Sequence, residues 1–438
     1  MKIKNISLQN FRIFQNYSID FHENLTVLVA DNGAGKTALL DIISIAFGSY
    51  VGTFPLGKQK GFKAVDASIV SNGNEPLYPI SLKADIEIDS NIFTINRMLS
   101  KKGSSTTSVD TKPLREYAKY NYKKLINNQK VDLPIVAYYG TGRLWNKIKI
   151  TTKFSKENHA RSYGYNHCLD PASSYKDFEK WFIENSRIEY DSIIKKVQSG
   201  EILDSSNLIT KNSTTLKNVR DSINIALRQV KWNNLRYNSS ELVLENEKGI
   251  SVSVDMLSDG VKNILALIAD IAYRCSNLNP HFDKASSKTK GVVLIDEVDM
   301  HLHPSWQQKV LKDLTTIFPK IQFIVTTHSP QVLSSIKKDN IRIIKPDENK
   351  AVIPYANPYG KQSIVALEDI MDVDATPPKE VVEETEIIKE YLNIISNGDI
   401  DNPKLEDMRT QLDEIYGSNY NKLLIADMII NKFKAKSK

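Results

Sequence analysis

Cysteine is nearly absent: there are two in 438 residues, Cys168 and Cys275, far apart and outside any C-x-x-C pattern. That excludes a disulfide framework. His159, His167 and Cys168 lie close together, but no second ligand pair at zinc spacing follows, so they read as incidental loop residues. No uninterrupted apolar run reaches the roughly 18 residues of a membrane span, and the N-terminus has no signal-peptide pattern. The expectation is a cytoplasmic protein without a membrane partner. Charge of one sign is also lacking. Lys and Arg number 58 against 52 Asp and Glu, a net +6 spread along the chain, and that balance does not by itself call for nucleic acid. At 438 residues the chain exceeds one small core and predicts two or three lobes.

What the chain does have is Ala30-Asp31-Asn32-Gly33-Ala34-Gly35-Lys36-Thr37. An apolar run at 25–29 precedes it and reads as a buried strand. Residues 38–47 follow and read as a buried helix ending near Gly48. Strand, glycine turn and helix are the setting of a phosphate-binding loop. Backbone N–H groups from Asn32, Gly33, Ala34, Gly35, Lys36, Thr37 and Ala38 would meet the positive end of the helix dipole and hold a nucleoside triphosphate. Lys36 reaches the outer phosphates, and the Thr37 hydroxyl ligates Mg²⁺. The usual pattern has glycine where Ala30 stands. Alanine stays small there but gives up easy access to positive φ.

Three distant segments complete this loop. Val292-Val293-Leu294-Ile295-Asp296-Glu297 is an apolar strand ending in two carboxylates. Asp296 would hold Mg²⁺ through water, and Glu297 would orient and deprotonate the attacking water. The strand at 321–327 delivers His328 to a turn fixed by Ser329-Pro330, placed to donate to the γ-phosphate or the water. A histidine after a strand is usually structural; its position two elements beyond Asp296-Glu297 reverses that preference. The third segment, Leu257-Ser258-Asp259-Gly260-Val261-Lys262, opens a helical run at 263–275. Alone it reads as a good N-cap; with the others it is a further anion site.

Along the chain, alternation predicts two strands within 1–30, at 2–8 and 25–29. Residues 48–79 read as an irregular excursion, 86–88 and 92–95 as a hairpin, 101–111 as a loop, 113–127 as a helix and 133–139 as a buried strand. From 173 to 230 the pattern is helical and polar, with Phe178, Trp181, Phe182 and Ile183 on one face. Sustained heptads are missing, so this is a compact insertion and not a long coiled coil. A strand pair follows around 246–249. After Pro377-Pro378 the chain is helical with an acidic run at 380–386, either a solvated cap or a docking surface. The expected divisions are an N-terminal lobe at 1–150, a helical insertion at 151–240, a second lobe at 241–376 and a helical extension at 377–438.

Together these motifs resemble the ABC-type ATPase heads of RecF, SMC and related DNA-maintenance proteins. Leu8-Gln9-Asn10-Phe11-Arg12 is similar to their leading strand, and 257–262 to a divergent signature where transporters show L-S-G-G-Q. Asp296-Glu297-Val298-Asp299-Met300-His301-Leu302-His303-Pro304, Trp306-Gln307-Gln308, and 138–145 resemble more closely a bacterial group of stand-alone ATPases from Septu antiphage systems and Septu-linked retrons. The resemblance implies an α/β fold: an ABC-type head with a mixed or parallel, P-loop-bearing sheet, added antiparallel strands, a helical insertion and a C-terminal helical cap. It implies ATP and Mg²⁺ as ligands. Ser258 and Gly260 would complete the ATP site of a second copy, with Asp299 facing them from the D-loop, in a homo-oligomer built from ATPase dimers. Arg12 would lie near the phosphates. The Q-loop residue stays unassigned, with Arg143 the most suggestive in its region.

The same resemblance implies a separate HNH-type nuclease subunit, with DNA or a retron RNA–DNA as a further partner. No nuclease site is legible in this chain. Asp372-Val373-Asp374 lies too close to Glu368 for a Toprim layout, and about 110 residues after His328 are few for such a domain. Two rivals remain: a RecF-type DNA-repair ATPase, and a scaffold that binds ATP with little hydrolysis.

Overall fold

The structure, a computed structural model, describes residues 1–69, 75–107, 109–142, 161–171, 175–200, 211–228, 232–238, 241–373 and 379–436. Arg143, His159, Asp374 and Pro377-Pro378 fall outside them. Met1–Asp372 form one compact unit and Val373–Lys438 a second.

In the first unit β1 (Lys2–Phe11) and β2 (Phe14–Asp20) form a hairpin, and β3 (Leu25–Val29) then enters the core ahead of helix α1 (Lys36–Val51). Strands β4 (Ile80–Ile88) and β5 (Asn91–Leu99), helix α2 (Lys112–Ile126) and strand β6 (Ile135–Tyr139) follow. Helices α3 (Lys176–Gln198) and α4 (Lys211–Leu227) lead to β7 (Trp232–Asn238), β8 (Glu241–Asn246) and β9 (Ser251–Ser253). Helix α5 (Asp259–Leu278) precedes β10 (Gly291–Ile295), β11 (Ile321–Thr326) and β12 (Ile341–Ile343).

The strands sort by chemistry. Every residue of β3, β6, β10 and β11 is buried, and these runs form a parallel sheet in the order β12-β3-β11-β10-β6. Continuous apolar strands suit a sheet covered on both faces. Alternating strands instead make the antiparallel sheet β2-β1-β4-β5. Buried Gln322 joins the two sheets. Its amide donates to the Ile3 carbonyl at 2.9 Å, and its oxygen accepts from the Ile3 N–H at 2.8 Å.

Three expectations change. The first 30 residues hold three strands, because the chain turns at Arg12-Ile13 and returns as β2. The helix after the phosphate loop runs past Gly48 to Val51. A Cβ at Gly48 would stand 2.6 Å from the Lys60 carbonyl oxygen, so this glycine marks a close chain approach and not a stop. Residues 232–238, beyond the helical pattern read at 173–230 but inside the expected helical insertion at 151–240, form β7 and pair with β8.

The second unit comprises helices Lys379–Ser396, Lys404–Tyr416 and Asn421–Lys436. Tyr391, Ile395, Leu412 and Leu423 lie in its own small core. Arg409 on the second helix pairs with Asp413 and with Asp427 on the third.

Candidate nucleotide-hydrolysing site

Three neighbouring strands of the parallel sheet end together. In the order β3-β11-β10 they deliver the glycine loop, His328 and the carboxylate pair. Ligands of such sheets bind beyond the carboxyl ends of the strands. Residues 259 positions apart in sequence thereby become partners: Thr37 Oγ1 donates to Asp296 Oδ2 at 2.8 Å.

The loop is fixed by backbone shape. Gly33 has φ +80° and Gly35, the N-cap of α1, has φ +90°, both in the left-handed region. A Cβ on Gly35 would also lie 2.5 Å from the Phe14 ring, because the β1–β2 turn packs over the loop. Ala30 is not among the positive-φ residues, so its position needs no glycine. No side chain caps α1, and its first turn carries no acidic residue, which leaves the helix N-terminus suited to an anion. Lys36 is buried and turned back on its own loop, donating to the carbonyls of Ala30 at 2.7 Å and Asp31 at 2.8 Å. Burial pushes its ammonium below the ordinary lysine pKa, against the opposing pull of Asp296, Asp31 and Glu297.

Asp296 is held on every side. Its N–H donates to the Tyr139 carbonyl at 2.8 Å, and Oδ1 accepts from Thr326 Oγ1 at 2.6 Å. The same threonine hydroxyl accepts the Glu297 N–H at 2.7 Å, while Glu297 sits at φ +48°. Thr326 follows from register: Ile295 pairs with Val325 in the parallel ladder, so position 326 stands beside 296. Sequence reasoning assigned Thr326 no role. His328 is half-buried immediately beyond β11.

Asp299 lies on the loop after the carboxylates, and its carboxylate accepts from Thr327 Oγ1, beside His328. Gln307, also unassigned from sequence, bridges the same two segments. It donates to the Leu302 carbonyl at 2.9 Å and accepts from Ser329 Oγ at 2.7 Å.

The signature segment is arranged differently. Ser258 occupies the N-cap position of α5 but its side chain makes no capping hydrogen bond, and the residue is exposed. The good N-cap expected from sequence is thus a cap in position only. Gly260 meets the D-loop of its own chain: a Cβ there would stand 2.5 Å from the His301 carbonyl oxygen.

Arg12, expected near the phosphates, is paired with Asp41 on α1 at 2.8 Å and Asp66 at 3.1 Å. Burial works against its charge, but the two carboxylates outweigh it and hold the pKa above the ordinary arginine value. Arg12, Asp41 and Asp66 border a cavity of about 490 Å³ that also takes in Lys58, Lys60 and Lys63.

A hydroxyl and a carboxylate oxygen 2.8 Å apart, below a loop of N–H donors, form a donor set that fits a hard divalent cation and a triphosphate. Glycine loop, paired carboxylates and histidine at adjacent strand ends, flanked by an antiparallel sheet, define an ATPase head of the ABC type. The chain belongs to the family described as AAA domain, putative AbiEii toxin, Type IV TA system, whose model matches residues 25–334.

Two curated relatives are similar to it over most of its length. It is 27% identical to the Retron Vc95 probable ATPase of Vibrio cholerae serotype O1 biovar El Tor, over 93% of this chain and 86% of that protein. It is 23% identical to Septu protein PtuA of Bacillus thuringiensis, over 85% of each chain. Among solved structures, the SMC head domain from Thermotoga maritima is 14% identical with a TM-score of 0.43, over 80% of this chain and 98% of that one. Among the described residues, no helix is long and apolar enough to cross a membrane.

Proposed function

We propose that this ATPase binds and hydrolyses ATP at sites shared between two copies of itself, and thereby controls a partner nuclease in an antiphage defence complex. The observation that carries the hydrolytic part is the hydrogen-bonded chain Thr37–Asp296–Thr326–Glu297 across adjacent strand ends. In this reading the N–H groups of 32–38 and Lys36 bind the phosphates, and Thr37 and Asp296 hold Mg²⁺, which neutralises phosphate charge. Glu297 orients the attacking water and takes its proton, while His328 donates to the γ-phosphate or that water. Ser258 and Gly260 close the site of a second copy, with Asp299 facing them. Arg12 stands beside the phosphates after exchanging part of its carboxylate pairing. The defence role rests on the retron and Septu relatives, whose likeness extends over most of the chain. An HNH-type nuclease and DNA or a retron RNA–DNA are the partners it implies.

The test has two arms. Glu297→Gln should retain ATP binding and lose turnover by at least about a hundredfold; normal turnover would remove Glu297 from the base role. Co-purification and mass measurement should find a complex of ATPase copies with a nuclease. ATPase copies stimulated by DNA without a nuclease would place the chain with the repair ATPases instead.

A further inference from the structure

A buried ion pair on the signature-bearing helix has no part in the chemistry above. Asp270 and Arg274 lie one turn apart on α5, each side chain 3% exposed, with Arg274 Nε donating to Asp270 Oδ2 at 2.7 Å. The same oxygen accepts from Tyr139 Oη at 2.7 Å. Arg274 Nη1 also donates to the carbonyls of Gly164 and Asn166, both at 3.0 Å. Asp270 Oδ1 is buried and has no donor among the described residues. Tyr139 ends β6, and its carbonyl receives the Asp296 N–H. One tyrosine is therefore gripped through its ring by α5 and through its backbone by the carboxylate strand. The other end of α5 carries Ser258 and Gly260.

Stability does not explain the charges. Desolvating two ions offsets much of their attraction, and a well-packed apolar pair serves a core equally well or better. What apolar groups cannot supply is direction. A carboxylate oxygen shared by a guanidinium and a phenol sets helix, strand and the 164–166 segment at one distance and one angle. We infer that Asp270, Arg274 and Tyr139 are positioning residues that hold α5, and with it Ser258, in register with Asp296 and Glu297. The inference rests on the proposed reading that these carboxylates and Ser258 act on ATP.

The full chain tests it with two variants. Asp270→Leu combined with Arg274→Met removes both charges together and leaves no ion stranded; Tyr139→Phe removes one hydroxyl. Melting temperature, KM for ATP and kcat are measured for each. The expected result is a folded double variant with a melting temperature below that of the wild type, because the Gly164 and Asn166 carbonyls and the Tyr139 hydroxyl lose their partners. KM should stay within about twofold, and kcat should fall about tenfold for the double variant and about fivefold for Tyr139→Phe. A folded double variant with full kcat would reduce the network to packing and overturn the inference. So would wild-type kcat in Tyr139→Phe if the double variant failed to fold. Glu297→Gln separates the two levels: normal turnover there sinks the underlying site, whereas an inactive Glu297→Gln beside a fully active double variant sinks the network alone.

Discussion

Asp296 and Ser258 belong to the two halves of one proposed site, and the chain treats them in opposite ways. Asp296 is 3% exposed, with both carboxylate oxygens and its N–H engaged by three other segments. Ser258 is exposed, and its hydroxyl leaves even its own helix uncapped. The first half is assembled by strand register and is complete within one chain. The second is anchored by its backbone, through Gly260 against His301, while its polar group faces outward. A group that must meet a second copy has to be left without partners in the first, and that supports the shared-site proposal.

The contrast breaks most readily at Thr326. Thr326→Val keeps the shape but removes the donor to Asp296 and the acceptor of the Glu297 N–H. Turnover should fall about a hundredfold through lost placement, with ATP affinity little changed; wild-type rates would mean the carboxylates hold themselves. Next is Gly260→Ala, whose methyl group would meet the His301 carbonyl at 2.5 Å. Parting the signature and D-loop segments should lower kcat about tenfold and cost about 1–3 kcal/mol of stability, read from steady-state rates and melting curves.

Glu179, in the first turn of α3, offers a gentler test. Burial, and then the charge of Asp255 just before the signature, push its pKa from 4.5 up to about 7. With the folded value raised, the folded chain binds more protons than the unfolded between those pH values, so stability declines as pH rises through that window. Glu179→Gln should abolish that decline and raise stability at pH 8 by about 1 kcal/mol, allowing for the partial exposure of the group. A pH profile of melting identical to that of the wild type would mean that Glu179 carries no penalty from burial beside Asp255. The smallest effect belongs to Ser258→Ala. Its stability should move by less than about 0.5 kcal/mol, because no capping bond is lost, where a working N-cap costs about 1 kcal/mol. A loss on the larger scale would show that the hydroxyl serves its own helix and would end the contrast.

Local chemistry made much of this legible in advance. The apolar runs leading to Gly33, Asp296 and His328 announce buried strands because they are short, continuous and end abruptly in polar residues. What escaped depended on distant chain. Gly48 looks like a helix stop until Lys60 is seen against it. Strand β2 was hidden because its hairpin turns at Arg12, held at φ +52° without any glycine or Asn-Gly signal. The strand β7 sequence, WNNLRYN, is too polar to announce a strand and takes that form by pairing with β8. Thr326 could be assigned only once the register of β10 and β11 was known. Asp270 and Arg274 drew no comment within the helical run at 263–275, and only Tyr139 across the core gives them meaning.

Lys36 carries one last consequence. Its ammonium already has two carbonyl acceptors, those of Ala30 and Asp31. An ammonium has three N–H donors, so one is left to meet a phosphate while the two loop carbonyls keep hold of the others. The loop thus parks its own lysine: the charge suited to a phosphate is tethered in advance, and less side-chain freedom is left to lose when an anion arrives.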